Sequence, residues 1–118
     1  MMAEVAVLVK PADEHEVSVD ARVFAWRHKV YGPHAQWGGP ADVELCAAAE
    51  DGARYALHHI PESAGAARAH ITEIIDAPAD TTPPAVKLAA AYAVWQAVDY
   101  SPADLPYIDP DGHVVFPD

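Results

Sequence analysis

The order of apolar and polar positions predicts two strands at the start of the chain. Residues 5–9 form a continuous apolar run that Pro11 ends, which is typical of a buried strand. Over residues 17–26, apolar and polar residues then alternate with a period of two, as in a strand with one buried face. Phe24 and Trp26 occupy the polar side of this pattern. We therefore predict a second strand whose far end is apolar on both faces.

The next segment has the pattern of a β-hairpin. Apolar and polar residues alternate on both sides of Asp51-Gly52 within residues 42–60. Asp-Gly between alternating segments is typical of a two-residue hairpin turn. We therefore predict two paired strands, with Tyr55 and His59 on the same face of the second one.

Residues 67–75 fit two structures. Their β-branched side chains favour a strand, whereas the spacing of Ile71 and Ile74 also fits a helix. We predict a strand.

A long helix is predicted over residues 84–99. Thr81 or Thr82 can cap it, Pro83 suits its first position, and Pro102 prevents its continuation. The segment is apolar on nearly every side. It therefore either packs on a sheet with alanines facing outward or is buried on two sides, one of them against another subunit.

These elements predict an α+β fold, a mostly antiparallel sheet of four to six strands packed by one long helix in the C-terminal half. A chain of 118 residues suits a single domain. We place that domain in residues 1–100. Residues 101–118 form a tail rich in proline and aspartate, in which residues 113–116 are a candidate short final strand.

Composition limits the classes of function. Apolar residues make up 52% of the chain, which argues against disorder. The 18 acidic and 7 basic residues give a net charge of −11, which argues against binding to nucleic acids or anionic membranes. Cys46 is the only cysteine, so no intrachain disulfide can form. Without a signal-peptide pattern, we expect a cytoplasmic protein or one assembled into a particle.

Motifs for catalysis, metals or cofactors are missing from the sequence. The seven histidines lack a metal-binding spacing, and neither a phosphate-binding loop nor a nucleophile-elbow motif occurs. Cys46 has no basic neighbour that would activate it. Asp109-x-Asp111-Gly112 resembles part of a calcium loop, but the further ligands do not follow, so we predict a proline-led turn. We predict no catalytic residue, cofactor or metal.

Two groups of residues are candidates for protein contacts. The first is a basic and aromatic cluster in an acidic chain, of residue types that often anchor interfaces. It comprises Trp26, Arg27, Lys29, Tyr31 and Trp37. The second is the set of apolar residues in the acidic tail, where no basic residue follows Lys87. It comprises Leu105, Tyr107, Ile108 and Phe116. The expected partners are protein subunits, either a second copy or a different chain.

The first functional hypothesis is a small non-enzymatic structural or protein-interaction subunit of a larger assembly. A phage virion or tail component and an oligomeric bacterial complex are examples of that class. The second hypothesis is a small enzyme or ligand-binding protein with a pocket between sheet and helix, lined by Tyr55, His59 and His70. The third is an acidic inhibitor that binds a basic partner.

Overall fold

The computed structural model describes residues 3–77 and 80–117, which form three helices and two small sheets. The strands are β1 (Ala3–Pro11), β2 (Glu16–Val19), β3 (Ala67–Asp76), β4 (Tyr107–Ile108) and β5 (Val114–Val115). The helices are α1 (Arg27–Tyr31), α2 (Pro40–His58) and α3 (Pro83–Ala97), and a single 3-10 turn covers Glu62–Ala64.

The main sheet has the strand order β1-β3-β2. β1 runs antiparallel to β3 along its whole length. β2 runs parallel to β3 over four residues, with Ser18 directly opposite His70. A parallel pair requires a crossover connection, and α2 lies in the connection between β2 and β3. β4 and β5 form a separate antiparallel ribbon in the tail.

The predicted α+β class is confirmed, but the details of the predicted architecture are wrong. Within the described residues, the main sheet has three strands and is mixed rather than mostly antiparallel. Two long helices, not one, pack against it. The difference arises mainly from residues 42–60.

The predicted hairpin over residues 42–60 is instead the helix α2. The buried positions of α2 recur every three or four residues, which is the helical period. They are Leu45, Ala48, Ala49, Gly52, Ala53, Ala56 and Leu57. Alanine is apolar enough to complete an alternating pattern and is also the best helix former, so the sequence of this segment fits both periods. Gly52 does not form a turn. A Cβ at that position would collide with the carbonyl oxygen of Lys87, so glycine allows α2 and α3 to approach closely.

The predicted strand over 17–26 ends at Val19. The Asp20 carboxylate accepts a hydrogen bond from the backbone N–H of Arg22, and the Asp20 carbonyl accepts one from Val23. Aspartate favours such turns because its side chain competes with the strand ladder for backbone donors. The chain then turns into α1, and Phe24 is buried in the core.

Four local predictions are confirmed. Strands occur at β1 and β3, and the last short strand is β5. The predicted helix over 84–99 is α3, whose N-cap Thr82 accepts a hydrogen bond from the Ala85 N–H at 3.4 Å, with Pro83 in the first turn. Because caps and β-branched runs act locally, they are readable without knowing the fold.

The core lies between the inner face of the main sheet and the two long helices. α2 packs beneath β2 and β3, and α3 packs against β1. The two helices also pack against each other, and the Trp95 indole donates a hydrogen bond to the Ala56 carbonyl at 3.0 Å. The inward residues of β3, Ala69, Ile71 and Ile74, are fully buried. The outer face of the sheet is not covered by either helix.

Candidate functional site

Arg27, predicted as an interface residue, ties three elements together. Its guanidinium donates hydrogen bonds at 2.9 Å to Asp42 at the start of α2 and to Asp76 at the end of β3, and it lies 4.1 Å from the centre of the Phe24 ring. The Arg27 side chain is only 12% exposed. Its hydrogen bonds, more than any other contact, hold the pKa of Asp42 below its usual value. The structure therefore gives Arg27 an internal role.

The other members of this cluster divide into anchors and exposed residues. The Trp26 indole donates to the Ile74 carbonyl at 2.6 Å, and the Trp37 indole donates to the Ala21 carbonyl at 3.2 Å. Lys29 and Tyr31 face solvent. Lys29 and Tyr31 are thus the two accessible residues of the predicted cluster.

The apolar tail residues also divide. Phe116 packs edge-on against Tyr55, with 5.1 Å between ring centres, and the Lys87 ammonium lies 4.1 Å from the Phe116 ring centre. Leu105, Tyr107 and Ile108 are exposed.

The predicted pocket lined by Tyr55, His59 and His70 does not form. Tyr55 lies in the last turn of α2 and His59 is its C-cap residue, and the two rings stack with 4.0 Å between their centres. His70 lies on the outer face of β3, because its neighbours Ala69 and Ile71 face the core. The sheet therefore separates His70 from the other two residues.

His70 instead joins Ser18 and Asp20 in a hydrogen-bonded row. The Ser18 hydroxyl oxygen lies 2.7 Å from His70 Nδ1, and Asp20 Oδ2 lies 3.1 Å from His70 Nε2. An ionised carboxylate accepts hydrogen bonds only, so Nε2 carries the proton of the neutral imidazole. Nδ1 is then an acceptor, and Ser18 donates its hydroxyl proton to it. We call these three residues the Ser18 relay.

The chain around Asp20 holds its carboxylate in the ionised form. The pKa of Asp20 lies below its usual value, chiefly because the Arg22 backbone N–H donates to the carboxylate and next because His70 does. The Asp20 N–H in turn donates to the Ile71 carbonyl at 2.8 Å. Backbone contacts on both sides thus orient the third member of the relay.

A depression of about 200 Å³ adjoins the relay on the outer face of the sheet. Besides Ser18 and His70, its lining includes Leu8, Lys10 and Arg68. Arg68 pairs with Glu16 at 2.9 Å. The relay therefore opens beside one apolar and two cationic side chains.

This arrangement is not apparent from the sequence because His70 follows Ser18 by 52 residues. The alternation places Ser18 and Asp20 on one face of the second strand. Only the parallel register of β2 with β3 brings His70 opposite Ser18.

A second candidate surface is the groove between β1 and α3, with a volume of about 370 Å³. It continues into a depression of about 200 Å³ that reaches Ile108. Apart from Gln96, the residues of α3 that line these two depressions are apolar, and we call the apolar ones the α3 flank. It comprises Ala85, Leu88, Ala89, Tyr92 and Ala93. Glu4, Glu73 and Gln96 are the polar residues of the larger groove.

Cys46 lies in a third cavity, of about 350 Å³, together with Phe24 and Trp37. Burial, more than the nearby carboxylates, raises the pKa of the Cys46 thiol. A raised pKa lowers the thiolate fraction at neutral pH, so the thiol is a poor nucleophile there.

The predicted proline-led turn lies between β4 and β5. Asp109 Oδ1 accepts hydrogen bonds from the backbone N–H groups of Asp111 at 3.0 Å and His113 at 2.8 Å. Side-chain ligand atoms of these three residues lie within 4.8 Å of one another. The internal hydrogen bonds account for this closeness as an aspartate-stabilised turn.

Among the helices of the described residues, none is long and apolar enough to cross a membrane. Comparisons with protein families, with curated proteins and with solved structures found no match to this chain.

Proposed function

We propose that this protein is an interaction subunit that pairs with a second copy of itself through β1 and the α3 flank. The observation that carries the proposal is an apolar helix side lying beside an edge strand. Contiguous apolar surface of this kind is typical of protein interfaces.

β1 supplies the directional part of the proposed contact. β1 is nine residues long and lies at one edge of the sheet, and within residues 3–77 and 80–117 no strand pairs with the edge that faces away from β3. An edge strand carries backbone donors and acceptors that can pair with another strand. β2, on the opposite side of the sheet, is only four residues long. β1 is therefore the better edge for pairing with a strand of another chain.

The side chains of β1 favour a copy of the same strand as the partner. In an antiparallel pair centred on Val7, Glu4 of each copy lies opposite Lys10 of the other, and Ala6 lies opposite Leu8. Glu4, Ala6, Leu8 and Lys10 are all exposed. Moving the centre by one residue to either side separates the two charges. This register therefore places opposite charges together at both ends.

The α3 flank suits the same arrangement. Helices beneath neighbouring strands of one sheet lie side by side, at a separation set by the side chains between them. Ala89 and Ala93 are half-buried and lie four residues apart, so their small side chains allow two copies of α3 to approach closely, whereas Ala85 is buried within the chain. Leu88 and Tyr92 add apolar area beside them.

Charge reversal tests the register. Glu4→Lys or Lys10→Glu places like charges opposite each other at both ends of the strand pair. Since an opposite-charge pair across strands contributes about 0.2–1 kcal/mol, we expect the dimer dissociation constant to rise about tenfold in either variant. The double variant restores the opposite charges and should associate like the wild type, as measured by sedimentation velocity.

Glu44→Lys and Lys29→Glu are the matched controls. They change the net charge by the same amounts at exposed positions outside β1 and α3, and we expect much smaller effects on association. The proposal is wrong if the wild-type chain stays monomeric at high concentration. A double variant that associates no better than the single ones would exclude this register.

A further inference from the structure

Ser18, Asp20 and His70 lie outside the surface proposed for self-association, although Leu8 and Lys10 of β1 border both that surface and the depression beside the relay. Ser18 lies in β2, across β3 from the β1 edge. The hydrogen bond between the Ser18 hydroxyl and His70 therefore lies apart from the proposed contact between copies. A serine that donates to an acceptor nitrogen of histidine has the geometry of a nucleophile with a general base.

The relay has the three parts that acyl transfer to serine requires. The Ser18 hydroxyl oxygen lies 2.7 Å from His70 Nδ1, and Asp20 Oδ2 lies 3.1 Å from His70 Nε2. In the neutral ring with its proton on Nε2, Ser18 donates to Nδ1 and Nε2 donates to Asp20. The carboxylate keeps the imidazole in the tautomer that leaves Nδ1 basic. In the familiar serine hydrolase arrangement, Nε2 faces the serine and Nδ1 faces the carboxylate, whereas in the relay Nδ1 faces Ser18 and Nε2 faces Asp20. In both arrangements one nitrogen acts as the base and the other is held by the carboxylate.

The sheet positions these groups before any substrate arrives. Ser18 and His70 are register partners in adjacent strands, so their separation is set by backbone hydrogen bonds. The Asp20 carboxylate and backbone N–H are both hydrogen-bonded, to Arg22 and Ile71 respectively. Preorganised polar groups on rigid elements are a requirement of an active site.

We propose that Ser18 is a nucleophile that accepts an acyl group from small carboxylic esters, with His70 as general base and Asp20 as positioning residue. The Ser18 oxygen attacks the ester carbonyl carbon while its proton passes to His70 Nδ1. The tetrahedral intermediate then expels the alcohol, which takes that proton. This leaves an acyl–Ser18 ester, which water hydrolyses by the same route to release a carboxylic acid.

The neighbouring depression indicates which esters fit. Its volume of about 200 Å³ suits a short acyl chain, and Leu8 offers an apolar contact. In a chain that is not paired through β1, Lys10 lies beside this depression and can stabilise the developing oxyanion, whereas Arg68 pairs with Glu16. The relay lies on an open face, so access does not require a conformational change.

Acetylation by p-nitrophenyl acetate tests the assignment. When the reaction is quenched with acid before the acyl ester is hydrolysed, we expect up to one acetyl group per chain, located on Ser18 by peptide mass spectrometry, and release of p-nitrophenol. General base catalysis typically contributes about 10²–10⁴-fold, so His70→Gln should slow acylation of Ser18 by a factor in that range. Ser18→Ala should remove the label, whereas Ser18→Cys should restore acyl transfer as a thioester.

Ser63→Ala and His59→Gln are the matched controls, since neither residue lies near the relay, and both should react like the wild type. Circular dichroism establishes that each variant is folded. The assignment is wrong if the acetyl group is found elsewhere, or if Ser18→Ala and Ser63→Ala react equally. Glu4→Lys should still be acetylated, so failure of self-association and failure of the relay are distinguishable.

Asp20→Asn tests the positioning role. The ¹⁵N NMR shifts of His70 report which ring nitrogen carries the proton. The wild type should show the Nε2–H tautomer, whereas the variant should show a larger share of the other tautomer together with slower acylation. If neither quantity changes, Asp20 does not position His70.

Discussion

At the scale of single residues, the Arg27 guanidinium forms ion pairs with two carboxylates inside the molecule. Arg27 looks like a surface anchor because it lies among aromatic residues. In the structure its guanidinium is shielded and contacts Asp42 and Asp76. Removing one partner of such a group leaves a poorly solvated charge, which is costly.

Asp42→Asn should therefore destabilise the fold in a pH-dependent manner. The folded-state pKa of Asp42 is lowered, so its ionised form stabilises the fold above the unfolded pKa of about 3.9. That contribution is lost as the pH falls through the lower folded value. We expect a loss of about 1–3 kcal/mol at pH 7, measured by urea unfolding, and a smaller difference in acid.

The exposed neighbour Glu44 provides the control, and Glu44→Gln should change the free energy of unfolding little at either pH. An equal loss for Asp42→Asn at neutral and acidic pH would contradict the ionic contribution.

At the scale of elements, the contact between α2 and α3 decides which sequence pattern is realised. Alternation and helical spacing are both present in residues 42–60. The helix buries its apolar side against α3, while Gly52 lets the two backbones approach. Tertiary packing usually outweighs local preference in a segment that is this balanced.

Gly52→Ala should consequently lower stability, although alanine is the better helix former by about 1 kcal/mol. Its methyl group would collide with the Lys87 carbonyl, and overpacking costs about 1–3 kcal/mol or more. We expect a lower melting temperature for the variant. Ala47→Gly, at an exposed position of the same helix, should also be destabilising, because glycine is the poorer helix former. A stabilised Gly52→Ala variant would show that the helices separate readily.

At the scale of the whole molecule, the charge of −11 opposes association of two copies. The proposed contact itself is apolar and carries its opposite charges at the strand ends. The proposed self-association therefore requires a local attraction that is stronger than this long-range repulsion. Screening acts on long-range repulsion first.

The dimer should accordingly tighten as salt rises from about 0.01 M, where the Debye length is about 30 Å, to about 0.15 M, where it is about 8 Å. Light scattering at a fixed protein concentration measures this change. Weaker association at the higher salt concentration would mean that the ion pairs between Glu4 and Lys10, rather than the apolar flank, dominate the contact.

Elements whose signals are local can be predicted from the amino-acid sequence. The apolar run of β1, the β-branched β3 and the capped α3 are all readable because a strand period or a cap involves neighbouring residues. The α+β class follows from those elements. The charge asymmetry, with no basic residue after Lys87, is likewise a property of the sequence alone.

Three features depend on tertiary contacts: the helical conformation of residues 42–58, the ion pairs of Arg27, and the hydrogen bond between Ser18 and His70. Each depends on groups that are distant in sequence. Gly52 is explained by the backbone of α3, and the Ser18 relay depends on a parallel register between β2 and β3. The hydrophobic pattern states which side of an element is buried. It does not state which element lies opposite, and that choice creates both candidate sites.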